Sequence, residues 1–203
     1  NVKVSEAPFR AIEILRHGEG KYTYDQSGDM YIGQYSYDKK HGTGVYISHT
    51  GSTYRGQYEN DQFHGGGTFK WHDGAEYKGS WLNGKKSGPM GRMVYSTGNI
   101  FEGAWFRDMK HGPGRAILTN KTISQGTYVN DLKQGIFETL HGDTNIFENA
   151  KYKQGEKTRI LHQLKPSHKG YITRDLLDEQ FGKLMKDHSE RYAKETLEHM
   201  KHY

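Results

Sequence analysis

A 23-residue periodicity constrains this chain more than any other feature. Residues 31–53 read YIGQYSYDKKHGTGVYISHTGST, 54–76 read YRGQYENDQFHGGGTFKWHDGAE, and 101–123 read FEGAWFRDMKHGPGRAILTNKTI. The copy at 77–100 carries one extra residue near Pro89 and Met90. Weaker copies begin at Ser124 and Phe147, and a half-copy occupies 17–30. A tandem period of this length means stacked supersecondary units, each stabilised mainly by its neighbours.

The pattern inside the unit predicts its structure. Aromatic residues align as Tyr31, Tyr54, Tyr77 and Phe101, and again as Tyr35, Tyr58, Trp81 and Trp105, with Gly33, Gly56, Gly79 and Gly103 between them. On a strand these three positions share one face. A second strand follows each Gly-x-Gly, with Tyr46, Phe69, Met93 and Ala116 in register. Each unit is therefore expected to be a β-hairpin, turning at Asp38-Lys39-Lys40 or Asn83-Gly84, because Asn-Gly and Asp-Gly favour the positive φ of tight turns. The mid-strand glycine lets a neighbouring ring lie over bare backbone and the sheet curve. The predicted fold class is all-β: an elongated single-layer antiparallel meander of about eleven strands. One face is aromatic and the other mixed, with Arg55, Gln57, Lys78, Ser80 and Glu102. A single layer must curl over its apolar face or receive something against it.

Composition agrees. Only 33% of residues are hydrophobic, so no deep aliphatic core is expected, yet 15 tyrosines and 26 glycines suit an ordered β protein. The absence of cysteine excludes thiol catalysis, disulfides and cysteine-ligated zinc. No apolar run approaches the roughly 20 residues of a membrane span.

The rhythm stops near residue 166. Lys165-Pro166-Ser167 marks a linker, Thr173 an N-cap, and Asp175, Asp178 and Glu179 suit a helix N-terminus. Leu177, Phe181, Leu184, Met185, His188 and Tyr192 recur at helical spacing. The expected organisation is an N-terminal extension at 1–16, a repeat domain at 17–165, a linker at 166–173 and an amphipathic helix at 174–203. The helix carries six Lys/Arg against seven Asp/Glu, a net of −1, so in a chain of net +5 the remainder carries +6.

His64-Gly65-Gly66-Gly67 matches the HGGG oxyanion-hole motif of hydrolases. However, His17-Gly18-Glu19-Gly20, His41-Gly42-Thr43-Gly44 and His111-Gly112-Pro113-Gly114 repeat it, and no Gly-x-Ser-x-Gly exists. A catalytic loop is needed once, whereas a structural turn is needed in every unit. The histidines do not make a metal ladder, since Ser87 interrupts them and strands two apart lie about 9.6 Å from each other. Gly-x-Gly here lacks the helix N-terminus that phosphate loops use. No catalytic residue, metal, cofactor or nucleic-acid partner is expected.

The aromatic-x-Gly-x-aromatic, Gly-x-Gly and Asp-Gly elements resemble the MORN repeat (membrane occupation and recognition nexus) over about residues 17–165. The last two copies depart from it at Ser124, Asn149 and Lys151. The resemblance implies a non-catalytic protein-interaction scaffold, a subunit of a larger complex or a homodimer, in a cytoplasmic, cytoskeletal or ciliary setting. The expected mode is an amphipathic helix received on the aromatic face by Tyr35, Tyr58, Phe69, Trp71, Trp81 and Trp105. That helix is the chain's own, a dimer mate's or a partner's; in the chain's own helix the docking face would be Leu177, Phe181, Leu184, Met185 and Tyr192. The alternative is a peripheral membrane module whose basic edge, Lys39, Lys40, Lys85, Lys86, Arg107 and Lys110, meets anionic lipid. Asp38, Asp61, Asp108 and Asp131 in the same turns would dilute its field.

Overall fold

The computed structural model describes residues 15–200. Among these, thirteen strands form one antiparallel sheet in strict chain order. They are β1 (Gly18–Thr23), β2 (Met30–Ser36), β3 (Lys39–Ile47), β4 (Thr53–Glu59), β5 (Gln62–Lys70), β6 (Glu76–Leu82), β7 (Lys85–Val94), β8 (Ile100–Phe106), β9 (Met109–Ile117), β10 (Ile123–Val129), β11 (Leu132–Leu140), β12 (Phe147–Lys153) and β13 (Glu156–Leu164). One helix, α1 (Arg174–Met200), follows. The strand number exceeds the expected eleven because the half-copy supplies β1 and the degenerate sixth copy still pairs as β12 and β13, with two bulges. Residues 1–14 of the expected extension and 201–203 of the expected helix lie outside the described residues.

The Asn83-Gly84 turn falls where the sequence places it, whereas the first unit turns one residue earlier than Asp38-Lys39-Lys40, at Tyr37-Asp38. Tyr37-Asp38, Asn60-Asp61, Asn83-Gly84, Arg107-Asp108 and Asn130-Asp131 each have positive φ at both positions, 48° and 69° at the first. Two consecutive left-handed residues make the type I′ turn that matches strand twist. The aspartates have a second task. The Asp61 N–H donates to the Lys40 carbonyl at 3.0 Å, and the Asp61 carboxylate accepts from the Lys40 N–H at 2.9 Å. Asp108 does the same to Lys86, and Asp131 to Lys110. These acids staple each turn to the unit before it. Though exposed, each has a carboxylate oxygen engaged by a backbone donor.

The main core is a row of rings on one face. Glycines pair across the sheet as Gly33 with Gly44, Gly44 with Gly56, Gly56 with Gly67, and onward to Gly126. Tyr31, Tyr54 and Tyr77 lie over this track, their hydroxyls donating to the carbonyls of Gln34, Gln57 and Ser80 at 2.9–3.1 Å. Ring edges meet ring faces from unit to unit: Tyr31 with Tyr58 at 5.1 Å, Tyr54 with Trp81 at 5.6 Å, Tyr77 with Trp105 at 5.4 Å and Phe101 with Tyr128 at 5.2 Å. Such edge-to-face contacts suit the ring quadrupole. The rings thus bury one another against bare backbone, and that face needs no second layer.

Burial raises the pKa of Tyr31, Tyr35, Tyr46, Tyr54, Tyr58, Tyr77 and Tyr128, with Tyr31 pushed up to about 12. A phenol raised in the folded state contributes stability that is complete below the unfolded value of about 10 and is lost as pH rises through the folded value. Phenolate absorbance during alkaline titration is therefore expected to show two populations. The late one should ionise together with loss of the sheet's circular dichroism; a single titration near pH 10 with the sheet intact would contradict the packing.

Candidate functional site

The helix docks in cis, on the face opposite the rings. Leu177, Phe181 and Met185 are buried, and Leu177 packs with Leu140 and Phe147. Thr173 caps the helix, its hydroxyl accepting from the Leu176 N–H at 3.3 Å. Arg115 is the polar centre of the seat. It pairs with Glu102 at 2.9 Å and with Asp178 of α1 at 2.5 Å, and its guanidinium lies 4.5 Å from the Phe181 ring. Leu184 and Tyr192, both expected in the docking face, remain more than a third exposed at its margins.

This corrects the expectation of an aromatic groove. Tyr35, Tyr58, Trp81 and Trp105 are at most 6% exposed. The indole N–H groups of Trp81 and Trp105 donate to the carbonyls of Gly67 and Gly91, both at 3.3 Å. Two rings per strand, offset between units, fill each other's gaps and leave no cleft among them. Phe69 and Trp71 are half-buried beside this core.

The seat lies where it does because one position changes along the repeat. In the first two full units Gln34 and Gln57 fold back over the loop, their side-chain oxygens accepting from the N–H groups of Thr43 and Gly66 at 2.9 Å. Those amides cover Gly42 and Gly65. The equivalent residues are Ser80 and Ala104. Over Gly112 the short Ala104 side chain, 2.9 Å from where a β-carbon would stand, leaves room for His188 of α1 to approach to 3.5 Å. The sequence signal was the change from YxGQY to YxGSW and FxGAW, which the hydrophobic pattern did not weigh.

The same face is open over the first two units. A groove of about 920 Å³ runs there across the strands. Its floor is the backbone of Gly33, Gly44 and Gly56; Ile32, Val45 and Arg55 form one wall, and Gln34, Thr43 and Gln57 the other. The first wall belongs to a single cross-strand row continuing through Thr68, Lys78, Arg92 and Glu102 to Arg115 in the α1 seat. Arg92 and Arg115 both bond Glu102, whereas Arg55 and Lys78 have no ion-pair partner among the described residues.

The expected basic edge divides in two. Lys39, Lys85 and Arg107 are exposed. Lys40, Lys86 and Lys110 fold over rings of the aromatic face: Lys40 lies 5.4 Å from Tyr46, Lys86 4.6 Å from Trp105 and Lys110 5.0 Å from Phe101. Lys133, in the corresponding turn of the next unit, continues the series at 4.6 Å from Phe137. Ammonium groups bind the negative ring faces. Burial holds the pKa of Lys86 and Lys133 below the ordinary lysine value. In the second unit Phe63 takes this place and stacks on Tyr54 at 3.8 Å. Among the described residues no cluster of His, Cys, Asp or Glu could hold a metal ion, and no helix is long and apolar enough to cross a membrane.

A model of the MORN repeat matches residues 13–28, 31–53, 54–76, 77–100 and 101–122. No curated protein matches the chain. Among solved structures, the wild-type TCP10 domain of Danio rerio CPAP aligns at 13% identity over 72% of this chain and 78% of that one, with a TM-score of 0.28. So loose a superposition carries no argument.

Proposed function

The chain belongs to the MORN repeat family, and on that premise we propose that it is a non-catalytic scaffold whose glycine-floored groove binds an amphipathic helix of a partner protein. Repeats of this family serve as interaction scaffolds. The observation that supports the reading is the groove itself: it is open over the first two units, on the face where α1 is seated further along the sheet. Arg55 and Lys78, without an ion-pair partner among the described residues, stand two strands apart, about 10 Å, which matches carboxylates seven residues apart on a helix. Membership of a cytoskeletal or ciliary assembly is part of the proposal and rests on the family likeness.

The test is quantitative capture of partners from native lysate. Ile32→Glu with Val45→Glu narrows the groove at wall positions that are not fully buried. Recovery of the principal partner is expected to fall on the order of tenfold, while Trp71→Ala on the other face leaves it unchanged. An unchanged partner set with the groove variant would sink the reading. Sedimentation with anionic vesicles, comparing the chain with Lys39→Glu, Lys85→Glu and Arg107→Glu, separates out the lipid alternative.

A further inference from the structure

The ring row changes character at one place that neither the repeat fold nor the groove explains. Paired residues on the aromatic face run Tyr46, Tyr54, Phe69, Tyr77, Met93 and Phe101, and then drop to Ala116 and Ser124. Where earlier units hold a large side chain, Ala116 leaves two adjoining hollows of about 330 and 410 Å³. Both are bounded by Lys110, Ala116 and Leu118; Phe101 closes one and Tyr128 the other. Leu118 is 39% exposed on the ridge between them.

The charge at the hollows is unbalanced. The Lys110 ammonium has no carboxylate at ion-pair distance among the described residues. Lys133 donates to the Ser124 hydroxyl at 2.8 Å, and the nearest acid beyond the hollow, Glu148, is itself bonded by Lys157 and Gln163. The one acid lining the site, Asp131, has a carboxylate oxygen engaged by the Lys110 N–H. Two cations thus overlook the hollows, and the acids near them, Asp131 and Glu148, are both already bonded elsewhere.

We propose that this patch is a second docking site, independent of the groove, for a short peptide segment of a partner protein that carries two large apolar side chains flanking carboxylates. The apolar side chains fill the hollows beside Ala116, burying surface the missing ring leaves bare. The carboxylates pair with Lys110 and Lys133, where partial burial strengthens the attraction beyond that of a surface pair.

The probe is an acetylated and amidated Leu-Asp-Asp-Leu peptide titrated into the isotope-labelled chain, with amide resonances as readout. Saturable shifts are expected at Lys110, Ala116, Leu118 and Ser124, at concentrations on the order of 1 mM. The Leu-Asn-Asn-Leu analogue should bind at least about tenfold more weakly to the same unaltered protein. Ala116→Phe restores the side chain that Phe69 supplies in the second unit, and should abolish the shifts; Lys110→Met keeps the stem and should weaken them similarly. Absence of saturable shifts, equal binding of the Asn analogue, or undiminished binding by Ala116→Phe would overturn the proposal. So would binding of anionic vesicles that depends on Ala116 and Lys110 while the peptide does not bind.

Discussion

Gly56→Ala is expected to lower stability by about 3 kcal/mol, and Tm by on the order of 10 °C, while Gly66→Ala changes neither measurably. A β-carbon on Gly56 would stand 2.5 Å from the Gly67 α-carbon, 2.6 Å from the Tyr54 hydroxyl and 2.7 Å from the Gly66 carbonyl. Two of these are backbone atoms of the paired strand, so relief requires separating β4 from β5. The Tyr54 ring would also be displaced, and it is fully buried in contact with Tyr58, Phe63 and Trp81. Gly66 has nothing within 4 Å of its own β-carbon position and no positive φ. Three consecutive glycines in HGGG therefore have three different reasons. Gly65 adopts φ of 58° beneath Gln57, Gly67 lies under the Tyr54 ring, and Gly66 is free. Thermal and denaturant unfolding of the two variants checks this, and comparable destabilisation by both would mean the rings do not lie on the glycine track.

Leu177→Asp is expected to release α1 while the sheet stays folded. Leu177 is fully buried against Leu140 and Phe147, so the lost burial and the desolvation penalty of a carboxylate there together come to about 3–5 kcal/mol of docking. The ring row lies on the opposite face, so sheet unfolding should shift little. Helical amides from 177 to 192 should lose hydrogen-exchange protection, and the 166–173 segment should become more readily cleaved by protease. Ala104→Gln is the reciprocal change, placing in the α1 seat the side chain that Gln34 and Gln57 fold over the loop in the earlier units. It should weaken docking of the part of the helix around His188. Retention of full protection in both variants would show that the seat is not what holds the helix.

Much of this was legible in the chain. The two aromatics and the glycine between them declared their shared face, because alternation along a strand is a matter of covalent geometry. The fixed period declared the stacking, and the recurrence of HGxG removed the hydrolase reading. The helical spacing of Leu177, Phe181 and Met185 identified the side that docks. Less legible were features that join distant residues. Arg115 meets Asp178 across 63 positions, and nothing local marks either as a partner. Lys40, Lys86 and Lys110 looked like an edge because they cluster after turns, yet flexible stems carry their charges over rings of neighbouring strands. The acids beside them looked like free surface charge and instead bond the previous unit's backbone. The repeat, the hairpin and the aromatic face could be read from the chain, since each depends on neighbours within one or two strands. The closing of the rings on themselves and the helix's choice of the other face emerge only in the assembled fold. That choice depends on whether a glutamine or a smaller residue covers each loop, and on what a distant segment can place in the space left open.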